Sequence, residues 1–353
     1  MRAEGKRVPK NLVLCFDGTS NEFGANNTSV VKLHTVIDQV EPHTFYSPGV
    51  GTFAAKEMLT RSGRRLLEGL GLLFGLGLTR NVLEGYAYLM ERWEQDDRIF
   101  VFGFSRGAYS ARVLAGLLHK LGLLEPDRRN LIPYADRLYK YEPTGPVTDG
   151  FGKLFSRPCR VHFLGLWDTV SSVGWVWDPN PLTRPFTANN PSVDTVRHAV
   201  SIDEHRAFFR QNRWGRGVDG QNVKEVWFAG YHSDVGGAAP LHPIALEWML
   251  VEARAAGLGI DEDLARSFVR DVDLGAVLRD PLEGAWNVAE FVPKLRYDQQ
   301  RGTRRPHMNR YAARTIRKGE VVHESVLERM QRLPSYAPQN LPPDPPIEPW
   351  KRL

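Results

Sequence analysis

The chain has 353 residues, 42% of them hydrophobic and 25% charged, with 32 glycines and 24 prolines. That length buries a sizeable core, and the composition excludes a disulfide-stapled miniature, a disordered polymer and a collagen-like repeat. Lysine and arginine total 46 against 41 acids, a net charge of +5, which is too small an excess to argue for nucleic acid as a partner.

NLVLCF, 11–16, is an unbroken apolar run that reads as a buried strand closing in the turn DGTSN, and TSVVKLHTVIDQV, 28–40, carries apolar residues at helical spacing. HTFYS, 43–47, reads as a second strand. LLEGLGLLFGLGL, 66–78, is the most membrane-like stretch, but Glu68 and repeated glycines interrupt it and it falls short of the roughly 20 residues a spanning helix needs. Its core, GLGLLFG at 69–75, lacks the dinucleotide spacing and reads as a buried approach to the next helix, with a flexible wall for an acyl chain as the alternative. TRNVLEGYAYLMERW, 79–93, places Leu83, Tyr86, Ala87 and Met90 on one helical face. RIFVFGF, 98–104, is a third strand, and RGAYSARVLAGLLHKL, 106–121, a helix.

VHFLGLW, 161–167, and VKEVWFAGY, 223–231, are further strands, each delivering a polar cluster, DTVSS and HSDVGG, at its carboxyl end; HPIALEWMLVEARAAG, 242–257, is the helix after the last. Strands alternating with amphipathic segments predict an α/β fold of the α/β-hydrolase-like kind, a mostly parallel sheet with helices on both faces. Ligands of such sheets sit outside the carboxyl ends of the strands, so that rim is the candidate site. The connections at about 122–160 and 171–222 lack periodicity and are rich in Pro, Trp and Phe, which suits a cap or lid better than sheet elements. Aromatic residues at 175, 177, 186, 208, 209 and 214 would line an apolar pocket there or pack the cap's own core. One catalytic domain is expected over 1–345, with LPPDPPIEPW inside a proline-rich tail at 341–353.

Gly103-Phe104-Ser105-Arg106-Gly107 fits G-x-S-x-G between a strand and a helix, the context of a nucleophile elbow. The glycines suit a strained turn on which side chains at the flanking positions would strike neighbouring backbone. Such a turn sets the serine hydroxyl at a helix N-terminus, where free N–H groups favour an oxyanion. A serine needs a general base, and the base an orienting acid, in the chain order Ser, Asp or Glu, His. Asp168 ends one strand 63 residues after Ser105, and His232 follows another 64 further on. Among the ten histidines, His34 and His43 precede the elbow, His119 and His162 lie inside apparent secondary structure, and His198 and His205 lie in a helix-like charged segment. The N–H of Arg106, with that of Gly18 or Thr19, would hold the oxyanion. Asp17 would orient His232, cap a helix or simply form a turn. The rival readings are a carboxylesterase, thioesterase or amidase on a small soluble substrate, a hydrolase in which Asp17, His232 and Asp234 ligate a divalent ion, and a non-catalytic binding module. No cofactor is otherwise expected.

FDGTSN (16–21), FGFSRGAYSARVLAGLL (102–118), LGLWDTVSSVG (164–174), RHAVSIDEHRAFFR (197–210) and VWFAGYHSDVGGA (226–238) together resemble the catalytic domain of the type VI secretion phospholipase effectors, a domain that also occurs as stand-alone α/β-hydrolase proteins of bacteria and fungi. The likeness runs from about residue 10 to 345 and includes HESVLERM and YAPQNLP. It implies Ser105 as nucleophile, Asp168 as acid and His232 as base, and a phospholipid acyl ester as substrate, with a secretion or immunity protein as partner. The secreted effectors carry a large additional membrane-associating region, and 353 residues are expected to hold the catalytic domain alone. The nine Lys and Arg between Lys294 and Lys318, against Asp298 alone, offer contact with anionic headgroups at a membrane surface or simply a solvated basic face.

MRAEGKRVPK is charged and leads straight into a strand, unlike a signal peptide, so synthesis in the cytoplasm, with export only by a Sec-independent route, is expected. The two cysteines, Cys15 and Cys159, form no CxxC or metal-ligand spacing, which fits a reducing compartment.

Overall fold

The computed structural model describes residues 7–18, 24, 27–49, 63–170, 184–207, 209–270, 272–282, 290–291, 294–298 and 303–353, without the side chains of residues 38, 63–76, 294–298 and 303–307. The strands are β1 (Asn11–Phe16), β2 (Thr44–Ser47), β3 (Arg98–Phe104), β4 (Leu123–Leu124), β5 (Ser156–Arg157), β6 (Val161–Trp167), β7 (Val193–Ser201), β8 (Asn222–Phe228), β9 (Lys294–Asp298), β10 (Thr303–His307), β11 (Val321–His323) and β12 (Ile347–Glu348). The helices are α1 (Ser29–Asp38), α2 (Gly63–Arg92), α3 (Arg106–Leu121), α4 (Ile132–Tyr141), α5 (Pro146–Phe155), α6 (His232–Gly236), α7 (His242–Ala255), α8 (Glu262–Val269) and α9 (Glu324–Arg332).

Eight strands form one sheet in the order β12-β11-β8-β7-β6-β3-β1-β2, all parallel; β4 with β5 and β9 with β10 make two small antiparallel pairs. Alternation along the strands divides the core in two. Leu12, Leu14 and Phe16 of β1 face the layer holding α2, α3 and α4, whereas Val13 and Cys15 face the layer holding α1, α7 and α8. The expected architecture is therefore the observed one. Because the register pairs Phe16 with Gly103, Phe104 with Trp167 and Trp167 with Ala199, the carboxyl ends of β1, β3, β6 and β7 finish level at one rim. The order reverses at β1, whose neighbours are β2 on one side and β3 on the other, and open α/β sheets hold ligands at such a switch point.

Three elements differ from expectation. The connection at 171–222 contains β7, a nine-residue strand in the middle of the sheet, so His198 lies on a strand and not in a helix. Its charged residues hid it: Arg197 and His198 are buried but paired, Arg197 to Glu252 and His198 Nδ1 to Glu225 Oε2 at 2.8 Å. The glycine-rich stretch at 66–78 is no separate approach, because α2 runs unbroken from Gly63 to Arg92; its proposed role as an acyl-chain wall rests on side chains outside the described residues. No helix among the described residues is long and apolar enough to cross a membrane. The proline-rich tail is extended as expected, but it is also docked, for β12 pairs with β11 at the sheet edge and Glu348 Oε1 accepts from Lys224 Nζ at 2.7 Å.

Segment 122–160 folds into α4 and α5, which pack on α3. Arg112 of α3, fully buried, donates to the carbonyls of Thr187, Asn212 (2.6 Å) and Arg213 (3.1 Å) and lies over Trp214, pinning the second long connection to the same helix. Cys15 and Cys159 are free thiols, both buried; burial pushes that of Cys159 up to about 12.

Candidate active site

The turn from β3 into α3 is as tight as its glycines require. A Cβ on Gly103 would stand 2.5 Å from the Gly107 carbonyl oxygen, and one on Gly107 would stand 2.2 Å from that of Phe16, closer than real Cβ contacts allow. The two glycines thus let the start of α3 press against both its own strand and the end of β1. Ser105 sits between them with φ 59° and ψ −121°, a backbone conformation that L-residues rarely adopt, and its N–H bonds the Trp167 carbonyl at 2.9 Å. Arg106 follows as the first residue of α3, where a helix has no internal acceptor for its N–H.

Asp168 follows β6, also at positive φ (39°), with its N–H on the Ala199 carbonyl at 2.7 Å. His232 opens α6, a five-residue helix that starts four residues after Phe228, the last residue of β8; this strand stops short of the 231 expected. These three sequence-predicted residues meet. His232 Nδ1 lies 2.5 Å from Asp168 Oδ2, and His232 Nε2 2.8 Å from Ser105 Oγ. All are buried, Ser105 being 6% exposed and His232 4%. The imidazole stacks on Phe104, ring centroids 4.6 Å apart, and meets the edge of Phe209 at 4.9 Å.

Burial by itself would raise the Asp168 carboxyl, but the Arg314 guanidinium and His232 hold it well below the usual carboxylate range. An ionised carboxylate only accepts, so Nδ1 carries a ring proton, and in the neutral imidazole Nε2 would accept from the Ser105 hydroxyl. A nucleophile can lose its proton to that nitrogen without any side-chain rearrangement.

Arg314 is the residue that sequence reasoning missed. Its Nη1 donates to Asp168 Oδ1 at 2.5 Å and its Nη2 to Asp168 Oδ2 at 3.0 Å, a two-pronged pair; Nη1 also donates to Ser201 Oγ at 2.8 Å. Ser201 N–H donates to Asp168 Oδ1 at 3.0 Å. Arg314 belongs to the basic tract between Lys294 and Lys318, so that tract is not uniformly a solvated face. The only signal for it was general: a buried aspartate needs a counter-ion. Glu204 was missed too. Its Oε2 accepts from the His232 N–H at 3.3 Å and from Arg206 Nη2 at 2.7 Å.

The other candidates stand apart from the imidazole. Asp17 accepts from Thr28 Oγ1 and the Tyr46 hydroxyl, both at 2.9 Å, and from the Gly18 N–H at 2.6 Å. The N-cap of α1 is Thr28 and not Asp17, which only holds the hydroxyl of that cap. Asp17 also engages the Gly18 N–H, and Thr19 lies outside the described residues. Asp234 accepts from the Tyr231 N–H at 2.9 Å at the start of α6. Asp17, His232 and Asp234 are not gathered into an ion site; among the described residues no group of three or more His, Cys, Asp or Glu is placed to hold one. Of the aromatic residues in the second long connection, Phe209 faces His232, while Phe186 packs on His119 and Trp214 under Arg112; Trp175, Trp177 and Phe208 lie outside the described residues. A cavity of about 390 Å³ near the start of α6 is lined by Tyr231, Ser233, Asp234, Val277, Arg279 and Asp280 among others, and by neither Ser105 nor His232.

A parallel sheet layered by helices on both faces, with polar side chains gathered at its carboxyl rim, defines an α/β protein. Residues 10–252 match the family described as the catalytic domain of the Tle1-like phospholipase effectors of the type VI secretion system, and the chain belongs to that family. An uncharacterised protein of Saccharomyces cerevisiae is 36% identical over 224 residues, an overlap covering 57% of this chain and 32% of that protein. Two solved structures are similar at 20% identity. An uncharacterised protein from Pseudomonas aeruginosa has a TM-score of 0.40, the overlap covering 75% of this chain and 49% of that one. The Tle1 effector bound to the VgrG spike of the type VI secretion system has a TM-score of 0.35, covering 66% and 52%. The chain therefore spans about a third of the length of the curated relative and half that of the solved chains.

Proposed function

We propose that this chain is a serine hydrolase that cleaves carboxylic esters, with lipid or phospholipid acyl esters as its substrate class. The observation that carries the mechanism is the run Ser105 Oγ, His232 Nε2, His232 Nδ1, Asp168 Oδ2, closed by bonds of 2.8 and 2.5 Å at the strained end of β3. Membership of the phospholipase effector family supports the lipid ester. Ser105 Oγ attacks the ester carbonyl carbon as its proton passes to His232 Nε2, and Asp168 steadies the imidazolium. The carbonyl oxygen, now an anion, takes hydrogen bonds from the Arg106 N–H and from that of Gly18 or Thr19. The C–O bond then breaks, the leaving alcohol takes the proton from His232, and an acyl group remains on Ser105. Water deprotonated by His232 attacks that acyl group, releasing the fatty acid and the free serine. Segment 122–160 and the parts of 171–222 on either side of β7 are the proposed cap. A secretion spike and an immunity protein are the partner classes, and a Sec-independent secretion system the export route, that the family suggests.

The test is intact-mass labelling by a fluorophosphonate, run beside fatty-acid release from phosphatidylcholine vesicles, for wild type, Ser105→Ala and His232→Ala. Wild type is expected to gain one adduct and both variants none, with vesicle hydrolysis falling by about 10⁴-fold or more in Ser105→Ala. Labelling without fatty-acid release moves the substrate to a small soluble ester. An unlabelled wild type, or a Ser105→Ala protein with full activity, overturns the reading.

A further inference from the structure

We propose that Arg314 is a positioning residue for the Ser105–His232–Asp168 run, so that the chain beyond residue 252 completes the site and sets the pH at which it works. The inference rests on the serine-hydrolase reading above. A lone carboxylate beside an imidazole can rotate and exchange oxygens; a guanidinium gripping both oxygens fixes its plane. Arg314 makes that grip on Asp168 and is itself held from several sides, Nη1 on the Ser201 carbonyl at 3.1 Å, Nη2 on the Phe209 carbonyl at 2.5 Å, and its own carbonyl by Asn340 Nδ2 at 3.0 Å. Asn340 Nδ2 also reaches the Ile202 carbonyl at 3.0 Å, tying the 309–340 segment to the end of β7.

The charge matters as much as the geometry. His232 meets two carboxylates, Asp168 at its ring and Glu204 at its backbone N–H, and each is paired with an arginine, Arg314 and Arg206 respectively. Ser105, on its other side, is uncharged, and Arg106 follows it at the start of α3. Each acid is offset by its own arginine, and removing Arg314 leaves the charge of Asp168 uncompensated beside the base. Arg314 thus both fixes the plane of Asp168 and offsets its charge next to the imidazole.

The experiment follows kcat/KM for a p-nitrophenyl ester against pH in the full chain, for wild type, Arg314→Met, Arg314→Gln and Arg314→Lys. Glutamine keeps donors toward Asp168 and serves where the methionine variant does not fold; near-ultraviolet circular dichroism checks both. In the neutral variants kcat/KM is expected to fall on the order of 10²-fold through kcat, and the acidic limb of the profile to move to higher pH. Lysine should lose rate yet keep the wild-type limb, since it retains the charge without the two-pronged grip. Acidic limbs of wild type and Arg314→Gln that superimpose overturn the proposal whatever the loss of rate, because a merely structural role lowers the profile without moving it. Full activity in Ser105→Ala overturns instead the reading on which the proposal rests.

Discussion

Ser105 at φ 59° and Asp168 at φ 39° both hold backbone conformations that cost free energy, and both lie where the chain leaves a strand of the central sheet. What keeps them there is bonding to neighbouring strands: the Ser105 N–H to Trp167 and the Asp168 N–H to Ala199. A second group of residues sets the molecule's response to acid. His323 is fully buried, stacked on Phe228, and caps α9 by accepting from the Ser325 N–H; burial lowers its imidazole to about 3 from 6.5. Burial, with Lys32 beside it, lowers His242 to about 4. Both groups therefore stay neutral in the fold while the unfolded chain takes up protons below pH 6.5, so stability is full above that value and falls as pH drops toward 4 and 3. The slope is at most roughly 1.4 kcal/mol per pH unit for each group. In His323→Asn, which keeps a capping oxygen but cannot titrate, the melting temperature should fall less steeply between pH 7 and 4.5 than in wild type; equal slopes remove His323 from the account. Ser105, Asp168 and His232 were legible because each stands at a strand end in the order that acyl transfer needs. Arg314 was not, since nothing local separates it from eight other cations of its tract; only a contact with a residue 146 positions earlier does so.

The β3–α3 turn works as an element because β1 lies against it. Adding a single methyl at Gly107 drives it into the Phe16 and Asp17 carbonyls, at 2.2 and 2.5 Å, and backbone cannot swing aside as a side chain would. Gly107→Ala is expected to cost about 3 kcal/mol or more and to abolish fluorophosphonate labelling even where a folded fraction survives. Urea denaturation and labelling on one preparation check both, and an unchanged midpoint contradicts the clash. Helix α3 was legible to the residue because an apolar 3.6-residue period meets a glycine turn at Ser105, and β6 because its seven residues are uninterrupted by charge. β7 was hidden for the converse reason. Arg197 and His198 break its apolar run, and the acids that neutralise them, Glu252 and Glu225, come from other elements. Strand propensity is outweighed there by pairing that no window of sequence contains.

On the scale of the whole molecule, the parallel sheet puts its turns at two opposite rims and all the proposed chemistry at one of them. The sheet's alternating burial was legible in the apolar runs; its closure at the edge was not. Pro-dense sequence around Ile347 predicts extended chain, and only the partners Lys224 and β11, far away in sequence, make a short edge strand of it. Prolines at such an edge also leave it few free donors, which discourages pairing with a second sheet. The side-chain run from Ser105 through His232 and Asp168 to Arg314 joins four stretches separated by more than sixty residues each, so no fragment of the sheet can assemble it. On the proposed mechanism, reactivity at one hydroxyl is consequently a clock for the last step of folding. During refolding from urea, capacity for fluorophosphonate labelling should return with the slowest kinetic phase, after helical circular dichroism has recovered, because contacts so distant along the chain close late. Labelling that recovers together with the helices would mean that the strand ends find one another early. The serine would then time the first docking of the sheet, where the geometry described above has it time the arrival of the C-terminal segment.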